Sequence, residues 1–173
     1  MIATSPNRED ASKLAALPPS STSPNSAAQR TIRKLVRDDG ICILTFDRPG
    51  SSANIFDRRA LTEFGEEIDS IANDSKIKGL VLNSAKRSIF IAGADIKAMS
   101  ENASPEDIGK LVELGQSVMN RLAALLIPTA AAIHGAAFGG GYELCLACDY
   151  RVASTDKATK IGLPETLLGI LPA

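Results

Sequence analysis

Three consecutive glycines, Gly139, Gly140 and Gly141, restrict what this chain can fold into more than any other feature. They lie in a run from Pro128 to Asp149 whose first part is short and apolar and whose last part carries Leu144 and Leu146 at helix-compatible positions. The pattern reads as a strand ending near His134, a turn through the glycines and a helix opening near Tyr142. With no side chain in the turn, a ligand atom can reach the backbone amides directly. The helix adds first-turn N–H groups without helical partners and the positive end of its dipole. Glu143 falls in that first turn, where its carboxylate can face whatever the glycines bind.

Two ligand chemistries suit such a corner. Phosphate is one, but the run fits neither GxGxxG nor GxxxxGK[ST], and a carboxylate beside a phosphate repels it. The other is a carbonyl oxygen that becomes negative only during reaction, held by the amides while the glutamate moves a proton. A turn chosen simply for close strand–helix packing accounts for the same glycines.

Composition narrows the field. The 173 residues suit one domain, and with 45% hydrophobic residues but 4% aromatic and no Trp the core must be built from Ile, Leu, Val and Ala. A formal net charge of −1 argues against a nucleic-acid or membrane-surface protein. No apolar run approaches the roughly 18 residues of a membrane span, and the start of the chain lacks a secretory pattern. Cys42, Cys145 and Cys148 are too few and too odd in number for a disulfide framework. Cys145 and Cys148 form a CxxC, but their apolar neighbours suit buried thiols better than redox or metal chemistry. His134 is the only histidine, so no histidine-based zinc cluster is expected, and a hydrogen-bonded place at a strand end suits it.

Residues 1–30, rich in Ser, Pro, Ala and Asn, read as a disordered low-complexity segment. Order is expected from Thr31. Ile41 to Asp47 reads as a strand stopped by Arg48-Pro49-Gly50, and Asp57 as the N-cap of a helix with Leu61, Phe64, Ile68 and Ile71 on its buried stripe. Gly79 to Leu82 is wholly apolar, which predicts a strand covered on both faces and paired in parallel with the one before the helix. Ser88 to Met99 forms a second small-residue corner leading into a helix, with Asp95 at the helix start. Ser104 and Pro105 open a further helix that runs toward Pro128. Tyr150 to Ser154 reads as a strand, and Asp156-Lys157 as a turn. Glu165, after Pro164 and amid apolar residues, is a candidate buried carboxylate or an ordinary acid on a loop. The class is α/β.

Three segments together, Ile91–Lys97, Ile133–Arg151 and Gly162–Pro172, resemble the enoyl-CoA hydratase/isomerase (crotonase) superfamily, in the same order and from about residue 31 to the end. The likeness is nearest to the hydratase domain of multifunctional fatty-acid-oxidation α subunits. It implies a spiral of ββα units over residues 31–173, with the family's C-terminal helical part missing, so the chain reads as a truncated hydratase domain. No dinucleotide fingerprint for a following dehydrogenase is present. The resemblance assigns the oxyanion hole to the N–H groups of Ala94 and Gly140 and the two catalytic acids to Glu143 and Glu165. It places the acyl-CoA substrate near Ala53, Asn54, Ala92, Asp95, Ile96, Gly139 and Pro164.

The implied reaction adds water to a 2-enoyl-CoA, giving a 3-hydroxyacyl-CoA, with Glu143 activating the water and Glu165 protonating C2. No cofactor or metal is expected beyond the coenzyme A thioester substrate. The expected partners are copies of the chain in a trimer, or a multienzyme complex, in a bacterial cytoplasm or a mitochondrial matrix. Alternatives are Δ3-Δ2-enoyl-CoA isomerisation, other acyl-CoA chemistry of the superfamily, and an acyl-CoA-binding or interaction fragment without catalysis.

Overall fold

Residues 32–46 form a hairpin because alternate apolar side chains and a glycine turn leave few other ways to bury Ile32, Cys42, Leu44 and Phe46. The computed structural model describes residues 30–94, 104–169, 171 and 172. Strand β1 (Ile32–Val36) runs antiparallel to β2 (Ile41–Phe46), with Ile32 opposite Phe46 and Val36 opposite Cys42. Glu63 ties β1 down from the neighbouring helix, accepting from the N–H groups of Thr31 and Ile32 at 2.9 and 3.0 Å, from the Thr31 hydroxyl at 2.6 Å and from Arg30 Nε at 3.0 Å.

That helix, α1 (Arg58–Ala72), begins where the sequence predicts, with the Asp57 carboxylate accepting from Ala60 N–H at 2.8 Å. Leu61, Phe64, Ile68 and Ile71 are all buried. Phe64 and Phe56 each pack against Phe46, the latter ring edge-on at 6.1 Å. Full burial of one such ring stabilises by about 2 kcal/mol. The chain then enters β3 (Gly79–Ser84), parallel to β2 with Leu44 beside Leu82. This is the strand–helix–strand unit the pattern implies. The expectation that β3 is covered on both faces is corrected: Leu80 and Leu82 are buried, whereas Val81 and Asn83 are half-buried. An apolar run shows that one face must be covered and is silent about the other.

Helix α2 (Pro105–Ala123) starts at the Ser104 cap, whose hydroxyl accepts from Asp107 N–H at 3.1 Å, and lies against α1 through Val118 and Leu122. Strands β5 (Thr129–Ile133) and β7 (Tyr150–Ala153) extend the main sheet, giving the order β1-β2-β3-β5-β7 with every pairing after the first parallel.

A second sheet was not legible from the residues. Strands β4 (Ile89–Ile91), β6 (Ala136–Phe138) and β8 (Lys160–Gly162) pair in parallel in the order β4-β6-β8. The stretch between His134 and the glycines, expected to be part of a turn, is therefore the middle strand of three. Helix α3 (Gly140–Leu146) opens two residues earlier than expected, with Gly140 and Gly141 inside it. The low-complexity segment 1–29, the helix expected after Asp95, and the positions of Asp95 and Ile96 lie outside the described residues.

Candidate active site

Two backbone corners meet at the end of the small sheet, one after β4 and one after β6. The first, Ala92 to Ala94, is laid alongside the segment Asn54 to Phe56. Ala92 N–H donates to the Asn54 carbonyl at 2.9 Å, Phe56 N–H donates to the Gly93 carbonyl at 2.8 Å, and Phe56 bridges Ala94 in parallel. In a parallel bridge the residue opposite the bonded one turns its own amide outward. Ala94 is that residue, so its N–H faces away from Asn54–Phe56.

Gly93 makes the bend possible. Its φ is +95°, and a Cβ there would come within 2.9 Å of the Phe138 carbonyl oxygen and 3.5 Å of Gly140 N. The outward amide of Ala94 is thus one residue from a point in contact with the Gly140 amide.

The second corner is α3. Gly139 N–H pairs with the Gly162 carbonyl of β8 at 3.1 Å, while the Gly139 carbonyl accepts from Tyr142 and Glu143 at 2.7 and 2.9 Å. Gly139 sits at φ 52°, ψ −130°, which side-chain-bearing residues avoid. Gly140 is the first helical residue, and its N–H precedes the helix's internal bonding. Gly141 lies so close to the Ile91 carbonyl that any side chain would collide with backbone. The glycines therefore let α3 press onto β4, as the packing reading of the sequence expects, and they leave no side chain over the Gly140 amide.

Both glutamates come to this place. A Cβ on Gly140 would lie 3.6 Å from Glu143 Oε2, and one on Gly139 would lie 2.7 Å from Glu165 Oε1. Glu143 arrives from within α3. Glu165 arrives along β8 and Pro164, which starts the short 3-10 turn Glu165–Leu168. The other oxygen of Glu165, Oε2, is buried and has no hydrogen-bond partner among the described residues. A buried acceptor without a partner is uncommon and marks a place that a donor can fill. The two acids, 22 positions apart in the chain (165 − 143), flank adjacent glycines.

The remaining positions divide. Ala53, half-buried, is held by the Ser51 hydroxyl, and Ala92 is exposed beside it on the Asn54 ladder. Pro164 is half-buried before the 3-10 turn. Asn54, expected near substrate, turns its side chain inward: it is 3% exposed, and both its amide oxygen and its amide nitrogen are bonded within the protein.

Phe56 escaped notice in the sequence, yet its ring edge is 3.4 Å from where a Gly140 Cβ would stand, so it lines the corner. A lone aromatic before an N-cap aspartate carries no signal of that role. His134 Nε2 donates to the Lys86 carbonyl at 2.6 Å, the strand-end bond foreseen for it. Cys145 and Cys148 are buried behind the corner, Cys148 just beyond the end of α3. Burial above all pushes Cys145 up to about 12 and Cys148 up to about 11, in the latter against a hydrogen bond with Thr129, which leaves both as neutral packing groups.

A family model described as Enoyl-CoA hydratase/isomerase matches residues 36–173. The chain is 46% identical over 144 residues to the fatty acid oxidation complex subunit alpha of Shewanella baltica OS155, and 46% identical over 143 residues to that of Shewanella oneidensis. Each match takes in 83% of this chain and 20% of the relative, so the chain spans about a fifth of the length of these curated relatives. Among solved structures, an enoyl-CoA hydratase from Bacillus anthracis aligns with a TM-score of 0.76 at 30% identity, over 83% of this chain and 54% of the other. One from Geobacillus kaustophilus HTA426 gives 0.77 at 31%, over 84% and 53%.

Proposed function

We propose that this chain, which belongs to the enoyl-CoA hydratase/isomerase family, carries the hydration site of an enoyl-CoA hydratase acting in fatty acid β-oxidation. Its reaction is the reversible syn addition of water to a 2-enoyl-CoA, giving a 3-hydroxyacyl-CoA. The observation that carries this reading is the meeting of two carboxylates at Gly139–Gly140, one of them with a buried oxygen lacking a partner among the described residues.

In the forward direction the thioester oxygen lies between the N–H groups of Ala94 and Gly140. Glu143 takes a proton from water as the water oxygen bonds to C3. The π electrons of C2=C3 shift toward the thioester, whose oxygen becomes enolate-like and is held by the two amides. Glu165 then delivers a proton to C2. One carboxyl gains a proton and the other loses one, so the pair is reset by exchange through water. Neither electrons nor groups leave the substrate, so the chemistry asks for no cofactor.

Oxyanion donors of this kind are worth about 3 kcal/mol each, and positioned acids contribute about 10²-fold or more. The CoA portion passes Ala53 and Ala92 toward Asp95 and Ile96, with Gly139 and Pro164 bordering the acyl end. The relatives named as subunit alpha of a fatty acid oxidation complex support placing the protein in such an assembly.

The test follows the loss of enoyl absorbance from a 2-enoyl-CoA by the chain and by Glu143→Gln and Glu165→Gln. Both substitutions are expected to lower turnover by about 10²-fold or more. Full turnover of a 3-enoyl-CoA by Glu143→Gln would instead assign the site to double-bond isomerisation.

A further inference from the structure

Asn54 is a buried polar side chain that bonds to β2, β3 and β4 behind the Ala92–Ala94 corner. Its amide nitrogen donates to the Phe46 carbonyl at 3.1 Å, the Ser84 hydroxyl at 2.9 Å and the Phe90 carbonyl at 3.1 Å, at the ends of β2 and β3 and within β4. Its amide oxygen accepts from Arg48 N–H at 2.9 Å. Ser84 extends the junction by donating to the Ile89 carbonyl at 2.8 Å. The backbone carbonyl of Asn54 meanwhile holds Ala92 N–H, two residues before the amide assigned to the oxyanion hole.

We propose that Asn54 is a positioning residue for the reaction: by clamping the ends of both sheets to the segment 54–56, it sets the direction of the Ala94 N–H. The claim rests on the reading of Ala94 as an oxyanion donor. Two amide protons serve three acceptors, so any rotation of the Asn54 side chain breaks a buried bond. The segment 54–56 is consequently rigid where it matters, and the ladder from Asn54 and Phe56 to Ala92 and Gly93 passes that rigidity to Ala94. A donor displaced by about 1 Å loses on the order of 10²-fold in rate. Asn54 itself need never touch the acyl-CoA.

Two variants test this in the full chain. Asn54→Ser removes most of the clamp, and Ser84→Ala removes a single partner should the first fail to fold. Amide hydrogen exchange is followed at Ala92, Phe56 and, as a control inside β3, Leu82. Exchange at Ala92 and Phe56 is expected to rise about tenfold or more in Asn54→Ser and by a smaller factor in Ser84→Ala, with Leu82 unmoved.

The infrared C=O stretch of a bound 2-enoyl-CoA, labelled with 13C at the carbonyl, is expected to lie below its solution position in the wild type and to return toward it in the variants. In turnover the loss falls on kcat while KM stays nearly constant. Unchanged exchange at Ala92 and Phe56, or an equal rise at Leu82, would overturn the positioning role. A wild-type stretch that binding leaves unmoved would overturn the oxyanion reading instead, and the exchange result would still decide whether Asn54 holds the corner.

Discussion

The two backbone corners of the site are fixed by opposite means. At Gly139–Gly141 the backbone is held by exclusion: the space a side chain would need is taken by the Ile91 carbonyl at Gly141 and by the Glu165 carboxylate at Gly139. At Ala92–Ala94 it is held by attraction, through hydrogen bonds that begin 38 residues earlier at Asn54 (92 − 54). Exclusion is local, rigid at Gly141 where the obstacle is backbone and softer at Gly139 where it is a side chain. Attraction is distributed and can be weakened in steps.

The sharpest way to break that contrast is Gly141→Ala. The added methyl meets the Ile91 backbone, which cannot swing aside, and a loss of more than about 3 kcal/mol is expected in urea unfolding. A loss under about 1 kcal/mol would show that α3 can slide on β4.

Gly139→Ala comes next, with up to about 3 kcal/mol of backbone strain at a glycine-only conformation. Its obstacle is a flexible carboxylate, so the Glu165 side chain moves away and hydration falls by about 10²-fold even where the protein remains folded. Comparing melts with turnover separates the two effects.

Glu63→Gln asks how an attractive clamp behaves far from the site. Burial raises the Glu63 carboxyl, but hydrogen bonds from Thr31, Ile32 and Arg30 outweigh it and hold the group below the usual carboxylate range. Its contribution is therefore complete above the unfolded value near pH ~4.3 and is lost as pH falls through the lower folded value. The variant should be less stable by about 2 kcal/mol at pH 7, with a flatter stability profile in acid and a shortfall that vanishes there.

The smallest expected effect is at the thiols. In the native protein at pH 8, Cys145 and Cys148 should resist alkylation until α3 detaches, so their labelling rate reports opening of the exclusion corner. Their raised folded values mean that this protection supports stability fully below the unfolded thiol value near pH ~8.5, and that the support declines as pH rises toward about 11 and 12.

Much of this was legible in the residues. Asp57 and Ser104 announce their helices because a cap is a local bargain between a side chain and amides two or three residues ahead. The strands at 41–46 and 79–84 show in their apolar runs, and the glycine corner shows because three consecutive glycines mark a turn or a close backbone approach. The small sheet was not legible, since β4, β6 and β8 are three residues each, too short for a period to register. The inward side chain of Asn54 was not legible for a related reason: its acceptors lie on strands far away in the sequence.

What this sequence determined alone is the set of elements and the two stretches of small residues, because caps, turns and periodicity act over a few positions. What only tertiary structure decided is that those stretches touch, that Glu165 comes to lie against Gly139, and that Asn54 faces inward. Each of these depends on parallel pairing between strands far apart in the chain, and on buried polar groups finding partners that no neighbouring residue can supply.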